Sequence, residues 1–138
     1  MIQKELFEKL YQSALDGFNN AFAPYSNFRV GASILLKNGE LINGCNVENA
    51  SYGLCNCAER TALFKAYSQG VRKNDIECMM VLAATDGPVS PCGACRQVMS
   101  ELLKADTLVI LTNLKKDVKE MTVKDLLPYA FTEDNLNE

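Results

Sequence analysis

The sequence predicts an α/β fold, a mixed five-stranded sheet with helices on both faces. Three observations carry that prediction. Two continuous apolar runs, ECMMVLAAT and TLVILTNL, flank a helix-length segment, which suits buried parallel strands joined by a crossover. An Asn38-Gly39 pair between apolar runs marks an antiparallel hairpin. The linker LKKD is too short for a crossover, so the strand VKEMTV turns back antiparallel.

Each element has its own signal. Leu6, Leu10, Ala14, Phe18 and Phe22 recur at steps of four, an amphipathic helix ending before Pro24. In RVGASILL, Val30, Ala32, Ile34 and Leu36 alternate as a strand does, and ELINGCNVE returns after the hairpin. From Cys57 a helix with the apolar face Ala58, Ala62, Leu63 and Ala66 runs to Gly70, a natural C-terminal cap. The strand ECMMVLAAT, the loop DGPVSP and the helix CGACRQVMSELLK follow, then TLVILTNL and VKEMTV, and a short helix VKDLLPYAF closes the fold. The whole span 1–138 reads as one domain, with a polar tail from about Thr132.

Composition excludes several functions. There are 14 basic and 17 acidic residues, a net charge of −3, with the basic residues scattered. No basic stripe is present for nucleic acid, so a small-molecule partner is favoured. No stretch has the length or apolarity of a membrane span, and MIQKELFEKL lacks the features of a signal peptide. A cytoplasmic protein is expected. The chain has no His. Ser-His-Asp and Cys-His catalysis and His-ligated metals are therefore excluded within it. A general acid or base must be Glu, Asp, Lys, Tyr or Cys, and a zinc site must rest on Cys.

Six cysteines are present. Cys45 and Cys78 lie in apolar strand-like surroundings and read as small buried hydrophobes. Cys92 and Cys95 form a Cys-x-x-Cys at a helix start, where unpaired N–H groups favour thiolates. A redox dithiol and a metal pair are both chemically reasonable. The metal pair is better supported, because the motif follows the third strand and Cys57 stands at the start of an earlier helix. Two helices that start after neighbouring strands bring these cysteines to one sheet edge. Three thiolates leave a tetrahedral ion one open position, as in catalytic zinc, whereas Cys55 as a fourth ligand would close the site.

Glu59 also has two readings. Asn56 followed three residues later by Glu59 is a capping-box pattern. Beside a metal held by Cys57, the same carboxylate suits a catalytic acid/base. The zinc deaminase signature is His-x-Glu followed by Pro-Cys-x-x-Cys, with a three-cysteine variant. This chain has Cys57-Ala58-Glu59 and Pro91-Cys92-Gly93-Ala94-Cys95.

On those motifs the chain closely resembles the cytidine deaminases of the small, homotetrameric, three-cysteine form. The resemblance runs from about Ala23 to Phe131, through APYSNFRVGA, GCNVENASYG, CNCAERTALFKA, GPVSPCGACRQV, LTNL and LLPYAF. It implies a three-layer sandwich, one Zn2+ per subunit, and hydrolysis of cytidine and deoxycytidine to uridine and deoxyuridine with release of ammonia. It further implies Cys57, Cys92 and Cys95 as metal ligands and Glu59 as the proton carrier. Asn46 and Glu48 match the positions that bind the ribose 3′-hydroxyl, and Phe28 matches the aromatic near the base. The backbone N–H of Ala58 would meet the pyrimidine carbonyl. Tyr52 and Phe131 match residues that line a neighbouring subunit's site. Arg60 resembles the Arg that hydrogen-bonds the thiolates and offsets their charge, with Arg96 a weaker second candidate.

The motif also fits blasticidin-type aminonucleoside deaminases, although NVENASY favours cytidine. Polynucleotide deaminases usually carry His in the first motif and need a basic surface. A deoxycytidylate deaminase needs a phosphate-binding cation. A structural zinc module would need four protein ligands.

Overall fold

The computed structural model describes residues 2–137. Helix α1 is Lys4–Asn20, and strands β1 (Val30–Leu36) and β2 (Leu41–Cys45) form a hairpin. Helix α2 (Ala58–Ser68), strand β3 (Ile76–Ala83), helix α3 (Gly93–Leu102), β4 (Leu108–Asn113) and β5 (Val118–Thr122) follow. Two single-turn helices, α4 (Val123–Leu126) and α5 (Glu133–Leu136), end the described chain. The sheet order is β2-β1-β3-β4-β5. Only the β3–β4 pair is parallel, and the β4–β5 pair is antiparallel, as loop lengths predict.

Alternate residues of the central strands serve two cores. On one face Leu10, Tyr11 and Ala14 of α1 cover Leu35, Cys78, Met80, Leu82 and Ile110. On the other, Ala58, Ala62, Leu63, Met99 and Leu103 cover Ile34, Met79, Val81 and Val109. This explains why β1 is buried on both faces.

Helix α1 stops before Phe22, whose residue instead bridges to Val47 and is more than half exposed. The hairpin closes with Gly39 N–H donating to Leu36 O and Gly39 at φ 93°, a conformation glycine adopts without a Cβ penalty. Helix α2 ends at Ser68 and is closed by Gly70, φ 90°, with Gly70 N–H bonded to Tyr67 O and Val71 N–H to Ala66 O. That pair of bonds is the Schellman arrangement. Three departures from expectation are local. The VKDLLPYAF helix is only one turn long, because Pro128 supplies no N–H and Tyr129 takes a φ of 55°. The polar tail contains α5, whose start is capped by Thr132 and Asn135. Cys78 is buried, but Cys45 is only partly so, because β2 lies at the sheet edge.

The site depends on the sheet directions. Strands β2 and β3 are not neighbours, since β1 lies between them. Both run antiparallel to β1, with Gly31 opposite Cys45 and Val30 opposite Ala83. They therefore end at the same sheet edge. Helices α2 and α3, which follow them, both begin there.

Candidate active site and metal centre

Cys57 is the residue preceding α2 and Cys92 the residue preceding α3, with Cys95 in the first turn of α3. Their three Sγ atoms lie within 4.8 Å of one another. Cys57 Sγ is 3.7 Å from Cys92 Sγ, which is 3.3 Å from Cys95 Sγ. Tetrahedral zinc with Zn–S bonds of about 2.3 Å requires sulfurs about 3.8 Å apart, so the donor set fits zinc. Cys95 N–H also donates to Cys92 Sγ at 3.4 Å, the first turn of α3 turned toward sulfur. Cys55 is not part of this group. Its Sγ accepts from Asn49 N–H at 3.2 Å and is occupied with that loop.

The group's charge is distributed unevenly. Hydrogen bonding from Cys95 pulls the Cys57 thiol well below its ordinary value, with Arg60 and Cys92 adding to the effect. Cys95 is pushed up, first by its bond to Cys57 and then by burial. Arg60 Nη2 donates to Cys57 Sγ at 3.3 Å, and this contact raises the guanidinium's hold on its proton. Its Nε is buried without a partner. Arg96, the second candidate for that role, faces elsewhere. Its guanidinium bonds Pro91 O, Leu126 O and Ser90 Oγ at 2.7–2.9 Å, tying the loop before α3 to the end of α4.

Glu59 is 4 % exposed and lines a cleft of about 280 Å³ shared with Cys57 and Cys92. The capping box is not formed. Helix α2 has Cys57 before its first residue and no side-chain cap, while Asn56 Nδ2 donates to Thr61 Oγ1 at 3.1 Å. Glu59 is thus not paired with Asn56, and it lines the cleft. Burial pushes its carboxyl up, and the Cys57 charge adds to that. A buried carboxyl whose charged form is disfavoured in this way is chemically suited to take up and release a proton.

Phe28, Asn46 and Glu48 line the same cleft. Phe28 is 45 % exposed, so it is not a core residue. Asn46 braces the start of β1, accepting from Val30 N–H and donating to Phe28 O, both at 2.8 Å. Glu48 accepts from Tyr25 N–H, Ser26 N–H and Ser26 Oγ. The Ser26 bonds hold its carboxylate below the ordinary range. Asn46 and Glu48 therefore do structural work and still face the cleft. Ala58 is buried as the first residue of α2, where its N–H precedes the helical ladder. Tyr52 and Phe131 are 75 % and 59 % exposed and do not line the cleft. Tyr52 packs edge-on against Tyr25, and Phe131 O accepts from Gln97.

Ser26, Asn56, Val89 and Ser90 also line the cleft. Sequence reading passed over them as site residues. Val89 and Ser90 could have been found from their place immediately before PCGAC, whereas Ser26 carries no chemical signature of its own.

Residues 4–112 match the sequence profile of the cytidine and deoxycytidylate deaminase zinc-binding region. A cytidine deaminase of Halalkalibacterium halodurans is 56 % identical over 131 residues, covering 95 % of this chain and 98 % of the relative. One from Sporosarcina psychrophila is 50 % identical, covering 94 % of each. The crystal structure of the Burkholderia pseudomallei cytidine deaminase superposes with a TM-score of 0.87 at 52 % identity, over 90 % of this chain and 98 % of that one. The Mycobacterium tuberculosis cytidine deaminase gives 0.75 at 34 % identity, over 91 % and 96 %.

Proposed function

This chain belongs to the cytidine and deoxycytidylate deaminase family, and we propose that Glu59, beside zinc held by Cys57, Cys92 and Cys95, carries its reaction. The enzyme is a zinc-dependent cytidine deaminase of pyrimidine salvage. It hydrolyses cytidine and deoxycytidine to uridine and deoxyuridine and releases ammonia. The observation that carries the proposed roles is the buried Glu59 carboxyl facing the same cleft as the converging thiols.

Zinc supplies, when bound, a water acidified enough to react as hydroxide near neutral pH. Glu59 takes the proton that water gives up and delivers it to ring nitrogen 3, which makes carbon 4 electrophilic. After the new C–O bond forms, Glu59 moves the hydroxyl proton to the exocyclic amine. The C–N bond then breaks and ammonia leaves, giving the 4-oxo pyrimidine. Arg60 offsets the negative charge of three thiolates. The helix N-termini at Cys57 and Cys92 act in the same sense. Phe28 packs by the base, Ala58 N–H meets the pyrimidine carbonyl, and Asn46 and Glu48 hold the ribose 3′-hydroxyl. Asn46 and Glu48 each keep free hydrogen-bonding capacity beyond the bonds they make to the protein.

One catalytic domain accounts for this chemistry, since both cores share a single sheet. The proposal extends to a homotetramer in which Tyr52 and Phe131 reach a neighbouring subunit's site. Their exposure, together with that of Phe22 and Leu54, supports it. A cytoplasmic location suits the free thiols, which need a reducing compartment to stay available for metal. Among the described residues no helix is long and apolar enough to cross a membrane.

The experiment is ultraviolet absorbance of cytidine incubated with the zinc-loaded protein. Conversion to uridine is expected, and its abolition by Glu59→Gln would support the assigned role. Folded, zinc-loaded protein that leaves cytidine unchanged would overturn the cytidine reading and favour an aminonucleoside antibiotic as substrate.

A further inference from the structure

We infer that Ser26 is a positioning residue that couples the sugar-binding and base-binding sides of the cleft through its hydroxyl. The inference rests on the reading of Glu48 as the ribose ligand. Ser26 Oγ donates to Glu48 Oε2, while the same oxygen accepts from Phe28 N–H at 3.0 Å. A hydroxyl has one proton, so this pair of bonds fixes its direction. Glu48 Oε1 meanwhile accepts from Tyr25 N–H at 3.0 Å and Ser26 N–H at 3.1 Å. Both carboxylate oxygens are therefore set by the Tyr25–Ser26 turn, which Asn27 closes with a φ of 58° and an N–H bond to Ala23 O. Phe28 is held at both ends of its backbone, by Ser26 Oγ at its N–H and by Asn46 Nδ2 at its carbonyl. Ser26 itself lines the cleft, but its hydroxyl is committed to the protein.

Removing the hydroxyl leaves Glu48 Oε2 without that donor and Phe28 N–H without that acceptor. Neither group is a reacting atom. The loss should therefore weaken ground state and transition state alike, raising KM with little change in kcat.

The test compares Ser26→Ala, Ser26→Thr and Glu48→Gln in the assembled, zinc-loaded enzyme, using cytidine and 2′,3′-dideoxycytidine. Ser26→Ala is expected to raise KM for cytidine about ten-fold, as for loss of one hydrogen bond to a charged group. The increase should be smaller, but not absent, for the dideoxynucleoside, which lacks the hydroxyl that Glu48 would hold yet still depends on Phe28. Ser26→Thr keeps an Oγ and should restore most of the cytidine KM. An unchanged cytidine KM in Ser26→Ala, or an equal loss on both substrates, overturns the inference. If Glu48→Gln fails to discriminate between the substrates, the ribose reading itself falls, and the inference with it. If Glu48→Gln discriminates and Ser26→Ala does not, only the assignment to Ser26 falls.

Discussion

Glu59 shows how one residue's environment selects between two chemically valid roles. A carboxylate three residues after Asn is a common cap, yet Asn56 spends its amide on Thr61 and leaves Glu59 in the cleft. Glu59→Gln keeps the shape but cannot carry the proton. Turnover should fall at least 100-fold, the usual scale for a general acid/base, with zinc content unchanged by atomic absorption. A parallel loss of zinc would instead give Glu59 a structural role. Cys55→Ala should retain zinc, since Asn49 and not the thiol group engages that sulfur. Arg60→Ala removes the cation bonded to Cys57. Zinc retention against a competing chelator should weaken by about 10–100-fold, as for other groups that support metal ligands.

At the scale of elements, three glycines let the helices approach the β1–β2 hairpin closely. A Cβ on Gly31 would lie 2.0 Å from Ala14 O of α1, and one on Gly17 2.4 Å from Gly44 O. A Cβ on Gly44 would lie 2.5 Å from Ala62 N and 2.9 Å from Ala58 O, both backbone atoms of α2. Backbone cannot swing aside as a side-chain tip can. Gly44→Ala should therefore displace the helix that begins with Cys57-Ala58-Glu59. The expected result is a stability loss of about 1–3 kcal/mol in denaturant unfolding. Activity should fall by more than the folded fraction explains. Wild-type kcat in the remaining folded protein would show that α2 had not moved.

For the whole molecule, the two apolar cores are built almost wholly from side chains other than the proposed metal ligands, with Cys95 the exception. Chelation should therefore abolish deamination while far-ultraviolet circular dichroism stays native and unfolding stays cooperative at a lower midpoint, as loss of a native-state ligand requires. Unfolding on chelation at room temperature would make the zinc structural. The proposed tetramer belongs to this scale as well. Sedimentation should report four subunits, and Phe131→Ala should raise KM without altering zinc content. A fully active monomer would remove Phe131 and Tyr52 from any shared site.

The sequence by itself determined the strand count, the places of the three long helices and the direction of each later pairing, but not the bounds of the two short helices near the end of the chain. Apolar period, loop length and glycine placement are local quantities, and they leave few topologies open. It also marked Cys57, Cys92 and Cys95, because metal-ligating residue types at motif spacing can be recognised without coordinates. What the tertiary structure decided was non-local. Strand order set β1 between β2 and β3, so two separated strands deliver two helix starts to one edge. Packing turned Arg60 toward sulfur and Arg96 toward the Pro91, Ser90 and Leu126 loops. The coupling of Ser26 to Glu48 spans 22 residues, and no local pattern announces it. A side chain's role follows from the atoms that the fold brings to it, and those atoms come from distant parts of the chain.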